Sequence, residues 1–205
     1  PEFLSAYCNR VTTGTPLPGL IPKHDTQSKD YSQMQAVARP GHADFTGFLR
    51  YAGANDVRGG GHFSGRLTAP LTLAGGIAKQ VLARRGIVIG AHLVQVGGCA
   101  DLLYDPANLD EETLLRPGNA PFPTLDERLG ARMQRVIEQA RMEQDSVGGM
   151  VECGVLGFPP GIGSPMFGGL ENRIASLAFG IPAVKGVEFG DGFLACALRG
   201  SQNND

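Results

Sequence analysis

Between Arg39 and Arg66 the chain reads RPGHADFTGFLRYAGANDVRGGGHFSGR, and its residue types suit an anion site with an acid–base group beside it. Gly59, Gly60 and Gly61 form an unbroken run, followed by Ser64 and then by an apolar stretch of helical character. Backbone N–H groups without side chains can approach an anion closely, and a helix N-terminus adds partial positive charge. Arg39, Arg58 and Arg66 bring guanidinium forks that match phosphate or carboxylate in a way Lys does not. His42 brings an imidazole, which titrates near neutrality and so takes or gives a proton with little penalty. On residue type alone His42 reads first as a structural or surface imidazole, and Arg39 and Arg66 as surface ion pairs of small energetic value. Ser64 is no hydrolase nucleophile, because no G-x-S-x-G surrounds it.

Positioning these groups requires ordered elements on both sides. Residues 67–85 read as a helix: Leu67, Leu71, Ala74, Ala78 and Val81 recur at helical spacing, and Leu73, Ile77 and Leu82 widen the stripe. A stripe so wide predicts burial on more than one side. Thr68 as N-cap puts Pro70 in the first turn, where its missing N–H is harmless, and leaves Ser64 in the loop. Residues 87–96 alternate and are β-branched, which predicts a strand with Ile87, Ile89, Ala91 and Leu93 on one face and His92 on the other. Residues 97–125, rich in Gly, Pro and Asp, predict a long irregular connection. A helix follows from Thr124 or Asp126 to about Asp145, with Leu129, Met133, Val136, Ile137 and Ala140 inward. Beyond it come a strand, MVECGVLGF, a short helix near 170–179, and strands around 184–189 and 192–199. The N-terminal residues 1–38 read as short extended pieces and a polar loop.

The alternation of helix and strand admits a parallel α/β sheet. The late strands carry Gly turn signals that favour hairpins, and the Gly59–Gly61 run lacks the last spaced glycine of a dinucleotide fingerprint. The reading is therefore α+β, in one domain spanning residues 1–205. A formal charge of −2 argues against a nucleic-acid groove. No apolar run reaches the roughly 18 to 20 residues that span a bilayer, so no membrane partner is expected. Cys8, Cys99, Cys153 and Cys196 lack C-x-x-C spacing and read as reduced, mostly buried thiols. No His/Cys cluster suggests a metal.

RPGHAD, RGGG and the Ser64-Gly65-Arg66 turn together resemble chorismate synthase. TTGTP (12–16), DTQSKDYS (25–32), DSVGGMVE (145–152), IPAVKGVEFGDGF (181–193) and RGSQNND (199–205) resemble further segments of that family, in family order across nearly the whole chain. The commoner family form follows its glycines with Arg-Ser-Ser-Ala-Arg-Glu-Thr. Here His62-Phe63-Ser64-Gly65-Arg66-Leu67-Thr68 stands in that place, keeping the second Ser and second Arg as Ser64 and Arg66.

The resemblance implies helices sandwiched between antiparallel sheets and a cytoplasmic homotetramer. It implies the anti-1,4-elimination of phosphate from 5-enolpyruvylshikimate 3-phosphate, giving chorismate with reduced FMN as cofactor and NADPH only as a reductant of that flavin. His42 is implied as the acid–base group against the flavin, and Arg39 and Arg66 as the substrate-gripping cations. His62, Phe63, Ser64, Pro182 and Ala183 match flavin-contacting positions. It also implies that residues 1–205 are the core of a longer chain. The family's Gly-Glu-Ser-His-Gly, Lys-Pro-Thr-Ser-Ser and Arg-His-Asp-Pro-Cys segments lie outside it. Two further readings stand beside this one: a non-catalytic, oligomerising core, and an unrelated phosphate-binding module.

Overall fold

A computed structural model describes residues 1–22, His24, Tyr31 and 36–203. Most of the DTQSKDYS segment and the terminal Asn204 and Asp205 lie outside the described residues. In chain order the elements are β1 (Glu2–Phe3), β2 (Tyr7–Cys8), β3 (Val11–Thr12), β4 (Gly19–Leu20), α1 (Asp44–Arg50) and α2 (Thr68–Ala83). Then come β5 (Val88–Val96), β6 (Cys99–Ala100), α3 (Glu111–Asn119), α4 (Glu127–Met142), β7 (Gly149–Leu156), α5 (Leu170–Ala178) and α6 (Gly200–Asn203). They fall into two compact units: residues 1–75 with 161–205, and residues 76–160.

The second unit is a three-stranded antiparallel sheet of order β6-β5-β7 with α3 and α4 packed on it. The strand expected at 87–96 forms, and its alternation holds, but the more deeply buried face is the one carrying His92. Gly90, His92, Val94 and Val96 are buried, whereas Ala91 is exposed. Glycine sets this phase. A Cβ at Gly90 would collide with the Leu114 carbonyl, and one at Gly154 would lie 2.8 Å from Leu114 Cδ1. The two glycines thus let α3 settle on β5 and β7, and Leu114 is wholly buried there. Val96, Cys99 and Met133 form the adjoining core, joined by Leu93, Phe122 and Val136. Full burial of Leu114 and Met133 contributes roughly 1.5–3 kcal/mol each.

The connection 97–125 is more ordered than its composition suggests. Gly97 and Gly98 turn β5 back into β6, so that Val96 pairs with Cys99. Asp110 then caps α3, its Oδ1 accepting from Thr113 N–H at 2.7 Å. Pro117 sits in the last turn of α3, where little of the ladder is lost. α4 starts at the expected cap: Asp126 Oδ1 accepts from Arg128 N–H (2.7 Å) and Leu129 N–H (3.2 Å). Its inner face is Gly130, Met133 and Ala140, flanked by half-buried Leu129 and Val136; Ile137, expected inside, is exposed.

In the first unit, α1 is short and two small antiparallel pairs, β1 with β4 and β2 with β3, arrange the N-terminal residues. α2, whose residues fall in both units, begins at Thr68 as expected, but Thr68 Oγ1 donates to the Gly65 carbonyl and does not cap. The capping oxygen belongs to Ser64, which accepts from Arg66 N–H and starts the short 3-10 turn Gly65–Leu67. The broad apolar stripe of α2 is not buried: Leu71 and Val81 are exposed among the described residues. The strands expected at 184–189 and 192–199 do not form. Gly190 and Gly192 take positive φ, and residues 192–197 wind into a 3-10 turn. Without a partner strand, an extended segment has no ladder to satisfy its backbone.

The fold is α+β, with helices packed on antiparallel sheets, as expected. Cys99 alone among the cysteines is buried; Cys8, Cys153 and Cys196 are exposed, and all four are free thiols.

Candidate active site

The site starts from a turn. Pro40 and Gly41 occupy its centre, Gly41 at φ 71°, and His42 N–H donates back to the Arg39 carbonyl at 3.4 Å. The turn folds Arg39 over the first residue of α1, Asp44. Asp44 Oδ2 accepts from Arg39 N–H (3.0 Å) and Nε (2.8 Å), and Oδ1 accepts from Arg39 Nη2 (3.0 Å). His42 Nδ1 lies 2.6 Å from the same Oδ1. Asp44 is buried, and Arg39's side-chain hydrogen bonds, against the opposing effect of burial, hold its carboxyl far below the usual carboxylate range. The guanidinium of Arg39 is raised in turn, chiefly by the hydrogen bonds to Asp44.

The glycine run faces this cluster. Gly59, Gly60 and Gly61 all take positive φ, at 64°, 82° and 52°. At Gly61 a side chain meets backbone, and at Gly59 and Gly60 one enters only if its neighbours move. A Cβ on Gly59 would overlap Arg66 Nη1, and one on Gly61 would strike the Asp56 carbonyl. On Gly60 it would lie 3.2 Å from Ser64 Cβ and 3.3 Å from His42 Nε2. His42, Ser64 and Arg66, which the sequence separates, therefore close on one strip of bare backbone.

The three arginines differ in what they have left to offer. Arg58 turns to Asp56, with Nη2 2.7 Å from Oδ2, an exposed pair that draws the Asp56 carboxyl down to about 2. Arg39 is taken up by Asp44. Arg66 donates from Nη2 to the hydroxyl of Tyr31 at 2.8 Å, and among the described residues no carboxylate pairs with it. Tyr31, like Asp44, is a participant that residue types alone did not single out. Both stand inside motifs, DYS and HAD, whose contacts only folding reveals.

The expected cofactor positions divide. Ser64 is in the cluster. Phe63 turns its ring toward α1: a Cβ on Gly47 would lie 2.5 Å from Phe63 Cε2, and the ring centroid is 6.4 Å from that of Tyr51. Its side chain anchors the loop to α1. His62 is exposed. Pro182 and Ala183 form the corner of an exposed turn closed by Val184 N–H to the Ile181 carbonyl (3.2 Å), with Ala183 at φ 72°. Left-handed backbone at a residue with a Cβ is strained, as turns at ligand sites often are. Among the described residues no hydrogen bond or ion pair joins this turn to the His42 cluster. In the second unit, a depression lined by Gln95, Gly97, Gly148, Gly149 and Met150 holds no titratable group and offers no chemistry. No group of three or more metal-ligating side chains occurs among the described residues, and no helix there is long and apolar enough to cross a membrane.

With the geometry in view, likeness to known proteins can be stated. The family model for chorismate synthase matches residues 1–205. The chorismate synthase of Lancefieldella parvula is 41% identical over 216 residues, covering 100% of this chain and 57% of that protein. The chorismate synthase of Thermococcus kodakarensis is 44% identical, again over 100% of this chain and 56% of that protein. A crystal structure of chorismate synthase superposes with a TM-score of 0.76 at 26% identity, covering 98% of this chain and 58% of that one. The chain thus spans a little over half the length of the relatives it matches.

Proposed function

The chain belongs to the chorismate synthase family, and from that premise we propose that it serves the anti-1,4-elimination of phosphate from 5-enolpyruvylshikimate 3-phosphate. The product is chorismate, made by a carbon–oxygen lyase of aromatic amino-acid biosynthesis. The observation that carries this reading is the closing of His42, Ser64 and Arg66 on the bare Gly59–Gly60 backbone.

In this proposal Arg66 grips an anionic group of the substrate. Among the described residues its side-chain partner is the Tyr31 hydroxyl and no carboxylate pairs with it, so an incoming phosphate or carboxylate meets a guanidinium that can turn to it. Arg39 contributes mainly order, because its fork is already fitted to Asp44. His42 holds or moves a proton at Nε2, the ring nitrogen facing Gly60. A flat aromatic cofactor would lie beside this loop, whose three glycines add no side chains of their own to the groups gathered there. The backbone of His62, Phe63 and Ser64 and the Pro182–Ala183 corner would hold it. Reduced FMN, when bound, supplies electron density to the substrate ring and an acceptor for its C6 proton. NADPH enters only as a reductant for the flavin, and the partners are the small-molecule substrate and three further copies of the chain, in the cytoplasm.

A second reading is favoured by one observation, the coverage of only 57% and 56% of the two relatives. It holds that these residues are a folded, oligomerising core with part of the site. An anaerobic assay separates the two. Reduced FMN binding together with chorismate formation supports the enzyme, and binding without turnover supports the core. Neither binding nor turnover removes the family site from this chain and leaves a phosphate-binding module.

A further inference from the structure

We propose that Asp44 is the positioning residue that fixes the neutral His42 ring as its Nδ1–H tautomer, so that Nε2 is the only basic nitrogen offered to a ligand over Gly60. A carboxylate can only accept, so a contact of 2.6 Å between Asp44 Oδ1 and His42 Nδ1 puts the proton on Nδ1. The lone pair of the neutral ring then lies on Nε2. That atom is 3.3 Å from where a Gly60 Cβ would stand, which places it against the glycine strip.

Asp44 is itself immobilised. Its Oδ2 takes two donors from Arg39, the backbone N–H and Nε, while Oδ1 takes Arg39 Nη2 and lies 2.6 Å from the imidazole Nδ1. Arg39 Nη2 lies 3.1 Å from His42 Nδ1 and 3.3 Å from Nε2. Near-equal distances to both nitrogens mean that the guanidinium lies against the ring and serves neither nitrogen alone. Arg39 therefore brings its charge to offset that of Asp44, and the pair orients the imidazole without a net charge beside it. The role of Arg39 shifts accordingly, from substrate grip to support of the acid–base group.

The arrangement sets what Asp44→Asn must do. Two donors from Arg39 converge on the Oδ2 position, so the amide oxygen stays there. The amide NH2 then takes the Oδ1 position and points its hydrogens at His42 Nδ1. That nitrogen must accept, and the proton moves to Nε2. The variant inverts the tautomer while changing a single atom, as loss of an orienting carboxylate does in other acid–base dyads.

The catalytic meaning rests on the role of His42 given above, but the tautomer does not. The experiment is long-range imidazole 1H–15N correlation on the 15N-labelled chain, without flavin or substrate and above the pH where the ring gains its second proton. The His42 signals are identified by their loss in His42→Gln. The expected result is Nδ1 protonated and Nε2 bare in the unsubstituted chain and in Asp44→Glu, inverted in Asp44→Asn. An Nε2–H ring or an unordered mixture in the unsubstituted chain overturns the proposal whether or not any variant folds, and so does an unchanged tautomer in folded Asp44→Asn. Loss of FMN binding with the Nδ1–H pattern intact strikes the functional reading and leaves this one standing.

Discussion

His92 Nε2 and Glu152 Oε2 stand 2.8 Å apart at directly opposed positions of β5 and β7, a side-chain contact that joins the two strands. The imidazole is wholly buried and its other nitrogen lies 3.2 Å from the Leu93 carbonyl and 3.5 Å from Asp101 Oδ2. Tyr104 packs edge-on against the ring at 4.5 Å, and its backbone N–H donates to the same Glu152 oxygen. Asp101 accepts in turn from the N–H groups of Leu125 and Asp126, ahead of α4. One imidazole thus ties β5, β7, the 101–104 loop and the start of α4 together.

His92→Ala should therefore destabilise the chain by about 3 kcal/mol, since it leaves a void where a wholly buried ring stood and takes one partner from Glu152 and Asp101. Equilibrium urea unfolding followed by circular dichroism measures this. A loss within about 0.5 kcal/mol, typical of a surface site, is incompatible with the clamp.

The same residue marks where sequence reading reaches its limit. Period-two alternation was legible in β5, but the choice of buried face depended on Glu152, sixty positions away by sequence, and on Gly90 and Gly154 receiving α3. Local chemistry was legible at Asp126, whose cap bonds lie within three residues. It was obscured at α3, where Pro117 and Gly118 stand inside a helix and made its residues read as an irregular connection. In the site, the glycine run and the residue types were visible. That Arg39 and Arg58 are taken up by neighbouring carboxylates, while among the described residues Arg66 meets only the Tyr31 hydroxyl, is a matter of rotamers and was not.

Asp126→Ala removes the acceptor for two N–H groups of α4. The expected cost is about 1 kcal/mol, with Asp126→Ser recovering most of it. The urea midpoint should fall with its slope unchanged. Equal midpoints for the two variants would show that the cap contributes nothing beyond the backbone bond to Asp101.

Acid should erode the contribution that Asp44 makes to the first unit. Its folded-state carboxyl is depressed by Arg39, so its stabilisation is complete above the ordinary carboxylate range, near 4. It is lost as pH falls through and below that range. Thermal unfolding of the parent chain and of Asp44→Ala should differ at neutral pH and converge on acidification. Asp56 provides the contrast: its carboxyl is also depressed, to about 2, but the pair with Arg58 is fully exposed, and Asp56→Asn should leave the neutral-pH midpoint unmoved.

Gly59→Ala tests the bare strip. Alanine must hold φ near 64° and its Cβ must displace Arg66 Nη1. The backbone alone costs about 1–2 kcal/mol. Binding of inorganic phosphate should weaken roughly tenfold, about 1.4 kcal/mol, as Arg66 is pushed aside. Gly65→Ala is the control, because open space surrounds that position and its φ is negative. Calorimetric titration should separate them, and equal phosphate affinity in both variants would show that Arg66 does not need the gap.

Arg66 itself carries the charge that the other arginines have surrendered, and two substitutions divide its contribution. Arg66→Ala removes the guanidinium and should abolish measurable phosphate binding with little change in unfolding, because the side chain is exposed. Arg66→Lys keeps the charge without the fork and should retain part of the affinity, losing the two-point geometry that a guanidinium gives. Tyr31→Phe removes only the hydroxyl that Arg66 now holds at 2.8 Å. If that hydrogen bond competes with an incoming anion, phosphate binds Tyr31→Phe as tightly as the parent or tighter. If the hydroxyl steers the guanidinium toward the strip, binding weakens instead. The competing geometry is the one expected, since a neutral hydroxyl is a poorer acceptor than phosphate for the same donor.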